Sequence, residues 1–145
     1  MDAPCAPEGL FEWVADLARY PSWLTIVERA ELVPDSVGTA SRVAWTVDLR
    51  GRLGPFARSK RLRMVRTELE PARLAAFERR ETDARRHARW ALRAEIEPLA
   101  GSRSALTMRL HYGGPLWGPV LERLLSDEIE ASRQRLLALV SAQTL

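Results

Sequence analysis

Apolar residues alternate with polar ones through the middle of the chain, whereas both ends repeat them every three or four positions. Near the N-terminus, Pro7 to Tyr20 reads as a helix: Leu10, Val14 and Leu17 lie opposite Glu8, Glu12, Asp16 and Arg19. Pro21 stops it, and Pro21 to Leu24 is expected to form a short second helix. Six strands are then expected: Ile26 to Val33, Arg42 to Arg50, Ala57 to Glu70, Arg73 to Glu81, Ala88 to Glu97 and Leu106 to Tyr112. The clearest is the second, where Val43, Trp45, Val47 and Leu49 alternate with Ala44, Thr46, Asp48 and Arg50. In the third, Leu62 and Met64 share one face but Val65, Thr67 and Leu69 the other, so a bulge is expected near Met64. Pro98 to Ser102 reads as a loop. The turns are short, which makes the sheet an antiparallel meander.

The chain closes on a run that fits one helix, Pro115 to Val140, roughly 39 Å long at 1.5 Å per residue. A second proline, Pro119, fits a first turn, so regular helix is expected to start nearer Gly118. Leu121, Leu125, Ile129, Leu136, Leu139 and Val140 form its apolar stripe, with Glu128 and Ser132 in the middle of the same face. The order, short helices then strands then a long helix, is that of an α+β fold, with a curved antiparallel sheet wrapped around the C-terminal helix. No linker or repeat divides residues 1–145, so one domain is expected.

Composition narrows the function classes. No run approaches the roughly 18 apolar residues that span a bilayer. The first residues lack the basic start and apolar core of a secretory signal, which makes the cytoplasm the default compartment. A single cysteine, Cys5, excludes an internal disulfide and a cysteine-rich metal site. No phosphate-binding glycine loop, His/Glu metal spacing or nucleophile elbow is present, and no metal or cofactor is implied. The net charge is +3, and Lys60 is the only lysine among 22 basic residues. Arg50 to Arg93 carries 14 basic and 5 acidic residues, a local balance of +9. The ordinary explanation is the solvated face of a sheet; the sharper one is a surface for nucleic acid or an anionic membrane.

Ala6-Pro7-Glu8-Gly9-Leu10-Phe11-Glu12-Trp13-Val14-Ala15-Asp16 followed by Tyr20-Pro21-Ser22-Trp23 resembles the opening of START-like helix-grip proteins. More narrowly, the chain resembles the SRPBCC group of bacterial polyketide cyclases/dehydrases and lipid-transport proteins. Glu68-Leu69-Glu70-Pro71, Trp90 within an alternating strand, and the closing Leu136-Leu137-Ala138-Leu139-Val140 fall in that family's order. These motifs are structural rather than catalytic. Members usually begin with a strand before the Ala-Pro step, and here only Met1 to Cys5 precede it. Either that strand is very short, or the start lies upstream, or a sheet edge is left open. An open edge invites pairing with another chain and favours a homodimer.

The resemblance implies a cavity between sheet and helix for a small hydrophobic ligand such as a lipid, a quinone or an aromatic polyketide. Trp45, Trp90, Tyr112, Leu121 and Leu125 are its expected apolar lining, although ordinary core packing explains them equally well. Trp13, Trp23 and Trp117 stand near helix starts, at the expected entrance. Glu128 and Ser132 are the polar candidates: a buried carboxylate must be paired or protonated, so Glu128 either reaches an arginine or serves as an acid/base or anchor. Arg66 and Glu78 fall where strand parity is ambiguous, and either side chain could face the ligand. His87 and His111 share parity with arginines and are expected in solvent. Binding or transport is thus the first reading. A polyketide cyclase or dehydratase using Glu128, Tyr112 and Arg66 is the second, and a surface-binding module on the basic face is the third.

Overall fold

In a computed structural model, residues 1–34, 42–50, 60–113 and 118–143 are described, with the side chains of 118–129 outside that set. The elements are β1 (Asp2–Ala3), α1 (Pro7–Val14), a 3-10 helix (Leu17–Ser22), β2 (Val27–Leu32), β3 (Ala44–Leu49), β4 (Lys60–Glu70), β5 (Leu74–Arg79), β6 (Trp90–Leu99), β7 (Arg103–Tyr112) and α2 (Gly118–Gln143). The strands form one sheet in the order β1-β7-β6-β5-β4-β3-β2, every neighbour antiparallel. The first strand of the fold is present and very short: Asp2 pairs with Ala105 and Ala3 with Ser104.

The single N-terminal helix expected over Pro7 to Tyr20 is divided. Pro7 opens α1, whose missing amide proton costs nothing in a first turn. The helix ends at Val14, and the Asp16 carboxylate accepts from the Ala18 amide at 2.9 Å, capping the 3-10 helix. That helix places Leu17 and Tyr20 on one buried face, three residues apart, as its three-residue turn requires. Pro21 lies inside it rather than ending the first helix, and no separate helix forms over Pro21 to Leu24.

Two further expectations are displaced. The bulge in β4 falls between Arg66 and Glu68, not at Met64. Arg66 therefore stays in phase with Leu62 and Met64, and the parity reverses only beyond it. Pro98 continues β6, opposite Ser104, beyond the last residue of β6 that pairs with β5, so its missing donor breaks no ladder bond on that side. The β6–β7 turn is tighter than a loop: Gly101 and Ser102 both take positive φ, 72° and 57°. Ala72, in the β4–β5 turn, also has positive φ, 61°. A Cβ in that region costs roughly 1–2 kcal/mol, while glycine gives back some of the gain as unfolded-state entropy. Ala72→Gly is therefore expected to raise stability by about 0.5 kcal/mol in urea unfolding.

One face of the sheet is apolar. Trp45, Val47, Leu62, Met64, Phe77, Trp90, Leu92 and Ile96 are all buried on it, and the partners across the ladders share that face. α2 packs against β7 and α1, and buries Ser132, Leu136 and Val140 at successive turns. Side chains of α2 earlier than Glu130, Leu121, Leu125 and Glu128 among them, lie outside the described residues, as does Trp117.

Candidate functional site

A half-open cavity of about 60 Å³ lies on the inner face of the sheet. Leu17, Tyr20 and Leu24 border it on one side, and Val47, Leu62 and Trp90 on the other. The atom-free space reaches about 500 Å³ when its mouth is included. Every lining residue is apolar or aromatic. Its walls come from the 3-10 helix, the start of β2, and strands β3, β4, β6 and β7. A second cavity, also of about 60 Å³, lies between Trp23, Leu106 and Met108 and the α2 residues Glu130, Arg133 and Leu136.

Among the described residues, charged side chains reach the inner face of the sheet in two places. The first is Asp16, Trp45 and Arg66. The Trp45 indole N–H donates to Asp16 Oδ1 at 3.1 Å, and Arg66 donates to the Ala15 carbonyl at 3.1 Å. The Arg66 guanidinium carbon stands 5.5 Å from the Trp45 ring centroid, within cation–π range. Burial lowers the Arg66 pKa, and the Asp16 charge opposes that shift. Arg66 and Asp16 thus clamp the end of α1 to the sheet. Asp16→Ala removes both the cap and the acceptor of a buried indole, and is expected to cost about 2–3 kcal/mol in chemical denaturation. Asp16→Asn keeps an acceptor oxygen and should lose less than about 1 kcal/mol; equal losses would mean that charge, not acceptance, is what matters.

The second place is the opposite end of the inner face. Lys60 pairs with Leu49 across the β3–β4 ladder, which puts it in phase with Leu62 and Met64. Its Nζ stands 5.9 Å from the Trp90 ring centroid and 5.8 Å from that of Tyr112. Those rings pack on each other at 4.8 Å, and both residues are buried. Burial first, and the Arg79 charge second, pull the Lys60 ammonium below its ordinary value. Arg79 is itself inward, since it pairs with Met64, and its side chain is only 8% exposed. It donates to Glu81 Oε1 at 2.9 Å and to the Ala88 carbonyl at 3.4 Å. It also lies 3.2 Å from His87 Nδ1. Arginine can only donate, so Nδ1 accepts, and His87 gives its Nε2 proton to Asp83 at 2.7 Å. That hydrogen bond is the main cause holding the Asp83 carboxyl below its usual range.

The expected site residues divide accordingly. Trp45, Arg66, Trp90 and Tyr112 all stand on the inner face, and Trp90 borders the cavity. Ser132 is buried, and its hydroxyl accepts from Arg135, which also donates to the Trp23 carbonyl. Glu78 is corrected: it pairs with Val65 and Ala91 on the outer face, bonded to Arg80 and Arg89 at 3.2 and 3.1 Å. His111 is exposed on that outer face. Trp13 donates to Gln143 at 2.9 Å, joining α1 to the end of α2. Lys60 and Arg79 are additions to the expected set, although a signal for them exists in the chain. Lys60 shares parity with Leu62 and Met64, and Arg79 shares parity with Phe77.

The outer face holds a polar groove of about 350 Å³ that includes Glu68, Arg89, Arg93, Arg109 and His111. Much of its positive charge is matched on the spot: Arg93 pairs with Glu68 and Glu95, Arg89 with Glu78, and Arg61 with Asp48. Among the described residues, no three His, Cys, Asp or Glu side chains gather as metal ligands, and no helix is long and apolar enough to cross a membrane.

A family model described as polyketide cyclase / dehydrase and lipid transport matches residues 1–141. Among curated proteins none matches the chain. A solved START superfamily protein from Mycobacterium smegmatis is 16% identical, with 99% of this chain and 94% of that one covered and a TM-score of 0.74. A protein from Thermus thermophilus is 19% identical over 100% of this chain and 96% of its own, with a TM-score of 0.68. The Zhui aromatase/cyclase from a Streptomyces species is 15% identical over 99% of this chain and 88% of its own, with a TM-score of 0.60. At these identities the likeness establishes the shared fold.

Proposed function

Because the chain belongs to the polyketide cyclase/dehydrase and lipid-transport family, we propose that it binds a small hydrophobic molecule on the inner face of its sheet, as a carrier or chaperone. A lipid, a quinone or an aromatic polyketide has the required character. The observation that carries this reading is the wholly apolar cavity under the 3-10 helix. A preformed apolar void leaves its walls without van der Waals partners, and an apolar guest restores them. The bulk of such a guest exceeds about 60 Å³. Entry therefore displaces lining side chains, of which Met64, unbranched and flexible, is best suited to move.

The enzyme reading has one specific observation in its favour. Tyr112 is buried beside Trp90, with the Lys60 ammonium near both rings, so a hydroxyl and a cation share the inner face. A cyclase or dehydratase needs little more than a shaped cavity with one or two such groups. In that case Tyr112→Phe lowers turnover while leaving the affinity for the substrate intact.

Native mass spectrometry of the protein purified from its own host, followed by organic extraction, tests the binding reading. Excess mass that disappears on extraction is the expected result. A bare polypeptide that also fails to enhance the fluorescence of N-phenylnaphthylamine, a neutral apolar dye, would overturn it.

A further inference from the structure

Among the described residues, the Lys60–Trp90 end of the inner face lacks a counter-charge. No hydrogen bond or ion pair joins Lys60 to an acidic residue there, and the charge it feels most is that of another cation, Arg79. Trp90 is 4% exposed, and its indole N–H is buried with no acceptor. A buried donor without a partner and a half-buried cation without a counter-ion both carry a desolvation cost. The cost falls away if a ligand brings an anionic acceptor to them. Trp90 also lines the apolar cavity, and the Lys60 Nζ stands 5.9 Å from its ring centroid, which puts the cation beside one wall of that cavity.

We infer that the ligand is an anionic amphiphile, a carboxylate on an apolar body, whose head group is bound by Lys60 and the Trp90 indole N–H while its body occupies the cavity. This inference rests on the binding reading above. The local chemistry selects a monoanion over a phosphate. A phosphate monoester carries close to two negative charges at neutral pH, and among the described residues the arginine beside Lys60 is already engaged. The Arg79 donors go to Glu81, the Ala88 carbonyl and His87, so Lys60 offers a single point charge. Arg79 then acts as a positioning residue. Its ion pair with Glu81 and its bond to His87 anchor it on the inner face, where its positive charge adds to the attraction that Lys60 exerts on an anionic head group.

Calorimetric titration of three ten-carbon probes, decanoate, decanol and decylamine, at neutral pH and low salt tests the assignment. The native protein is expected to bind decanoate about tenfold more tightly than decanol, and decylamine most weakly. Lys60→Met, which keeps the length and apolar stem of the side chain, should remove the preference by weakening decanoate alone. Lys60→Arg should retain part of it. Circular dichroism and thermal unfolding of each variant separate misfolding from lost recognition. If decanol binds the native protein as well as decanoate does, or if Lys60→Met leaves the ratio unchanged, the head-group assignment is wrong while the cavity reading survives. If none of the probes binds, and N-phenylnaphthylamine does not bind either, both readings are overturned.

Discussion

Replacing Tyr20 with alanine is expected to destabilise the protein by about 3–5 kcal/mol, the usual cost of deleting a buried aromatic ring. Its side chain joins several parts of this structure. Tyr20 is fully buried, lies 4.8 Å from Trp23 between ring centroids, meets Phe77 edge-on at 6.4 Å and walls the apolar cavity. Its hydroxyl donates to the Val14 carbonyl at 2.9 Å, which holds the end of α1 onto the 3-10 helix. At roughly 2–4 °C per kcal/mol for a chain of this size, the midpoint of thermal unfolding should fall by about 10 °C. A loss below about 1 kcal/mol would mean that the neighbouring rings close over the gap, contrary to the packing described.

The same residue sets the behaviour in alkali. Complete burial, aided by the Asp16 charge, pushes the Tyr20 phenol well above its ordinary value of 10.0. In the folded state the phenol keeps its proton, while in the unfolded state it releases one above that value. The stability it supports is fully present below about pH 10 and is lost as pH rises beyond it. Lys60 acts in the opposite direction: its ammonium sits below the ordinary 10.5 in the folded state, so its contribution grows with pH through that range. Tyr20 outweighs it because Tyr20 is fully buried and Lys60 only in part. Unfolding followed from about pH 8 to about pH 11 should therefore show falling stability. Tyr20→Phe should flatten that fall while costing about 1–2 kcal/mol at neutral pH through the orphaned Val14 carbonyl. An unchanged alkaline slope in Tyr20→Phe would assign the effect to another group.

Val47→Phe carries the largest expected effect on binding. Val47 sits on the inner face of β3, next to the edge strand, paired with Ala30 on one side and Leu62 on the other, and it lines the apolar cavity. A phenyl ring at that position projects into the void of about 60 Å³. Filling space that is already empty avoids most of the roughly 1–3 kcal/mol that overpacking costs in a full core. Stability is expected to change by less than about 1.5 kcal/mol, the usual bound for tolerated core swaps. The affinity for N-phenylnaphthylamine should fall at least about tenfold, equivalent to about 1.4 kcal/mol. Unaltered dye affinity would place the dye elsewhere, with the cavity beside Met1 and Trp23 as the next place to look.

Part of the candidate site is legible without coordinates. Trp45 and Trp90 fall on clean alternations, and both stand on the face that the alternation gives them, because a period of two leaves one choice once the apolar set is known. Glu78 and Arg66 are ambiguous in the sequence for a definite reason. For Arg66, a single extra residue in a strand reverses every side chain beyond it, and β4 carries its bulge between Arg66 and Glu68, amid polar residues that give no sign of where it falls; for Glu78, the β5 run Leu74-Ala75-Ala76-Phe77 is apolar on both parities. The same ambiguity hides Arg79, because in the run Glu78-Arg79-Arg80 either parity exposes a charge. The division of the N-terminal helix is readable in principle: Asp16 two residues before Ala18 is a capping signal, but the apolar spacing of Leu10, Val14 and Leu17 continues smoothly across it.

By itself, then, the amino-acid pattern determined the class and order of the elements: helix, meander, long helix, with an apolar inner face and a charged outer one. These follow from local periodicity, which every short window of the chain displays. Only the tertiary structure decided three other matters. It formed β1 from two residues, because Asp2 and Ala3 gain a strand only by pairing with Ala105 and Ser104 at the far end of the chain. It kept Arg66 inward through the position of the β4 bulge, and turned Glu78 outward by burying Phe77 on the inner face. It brought Lys60, Arg79, Trp90 and Tyr112 from four strands to one end of the inner face, where, among the described residues, a cation and an indole stand without an acidic partner. Such a meeting depends on ladder register, which is a property of the assembled sheet rather than of any single strand.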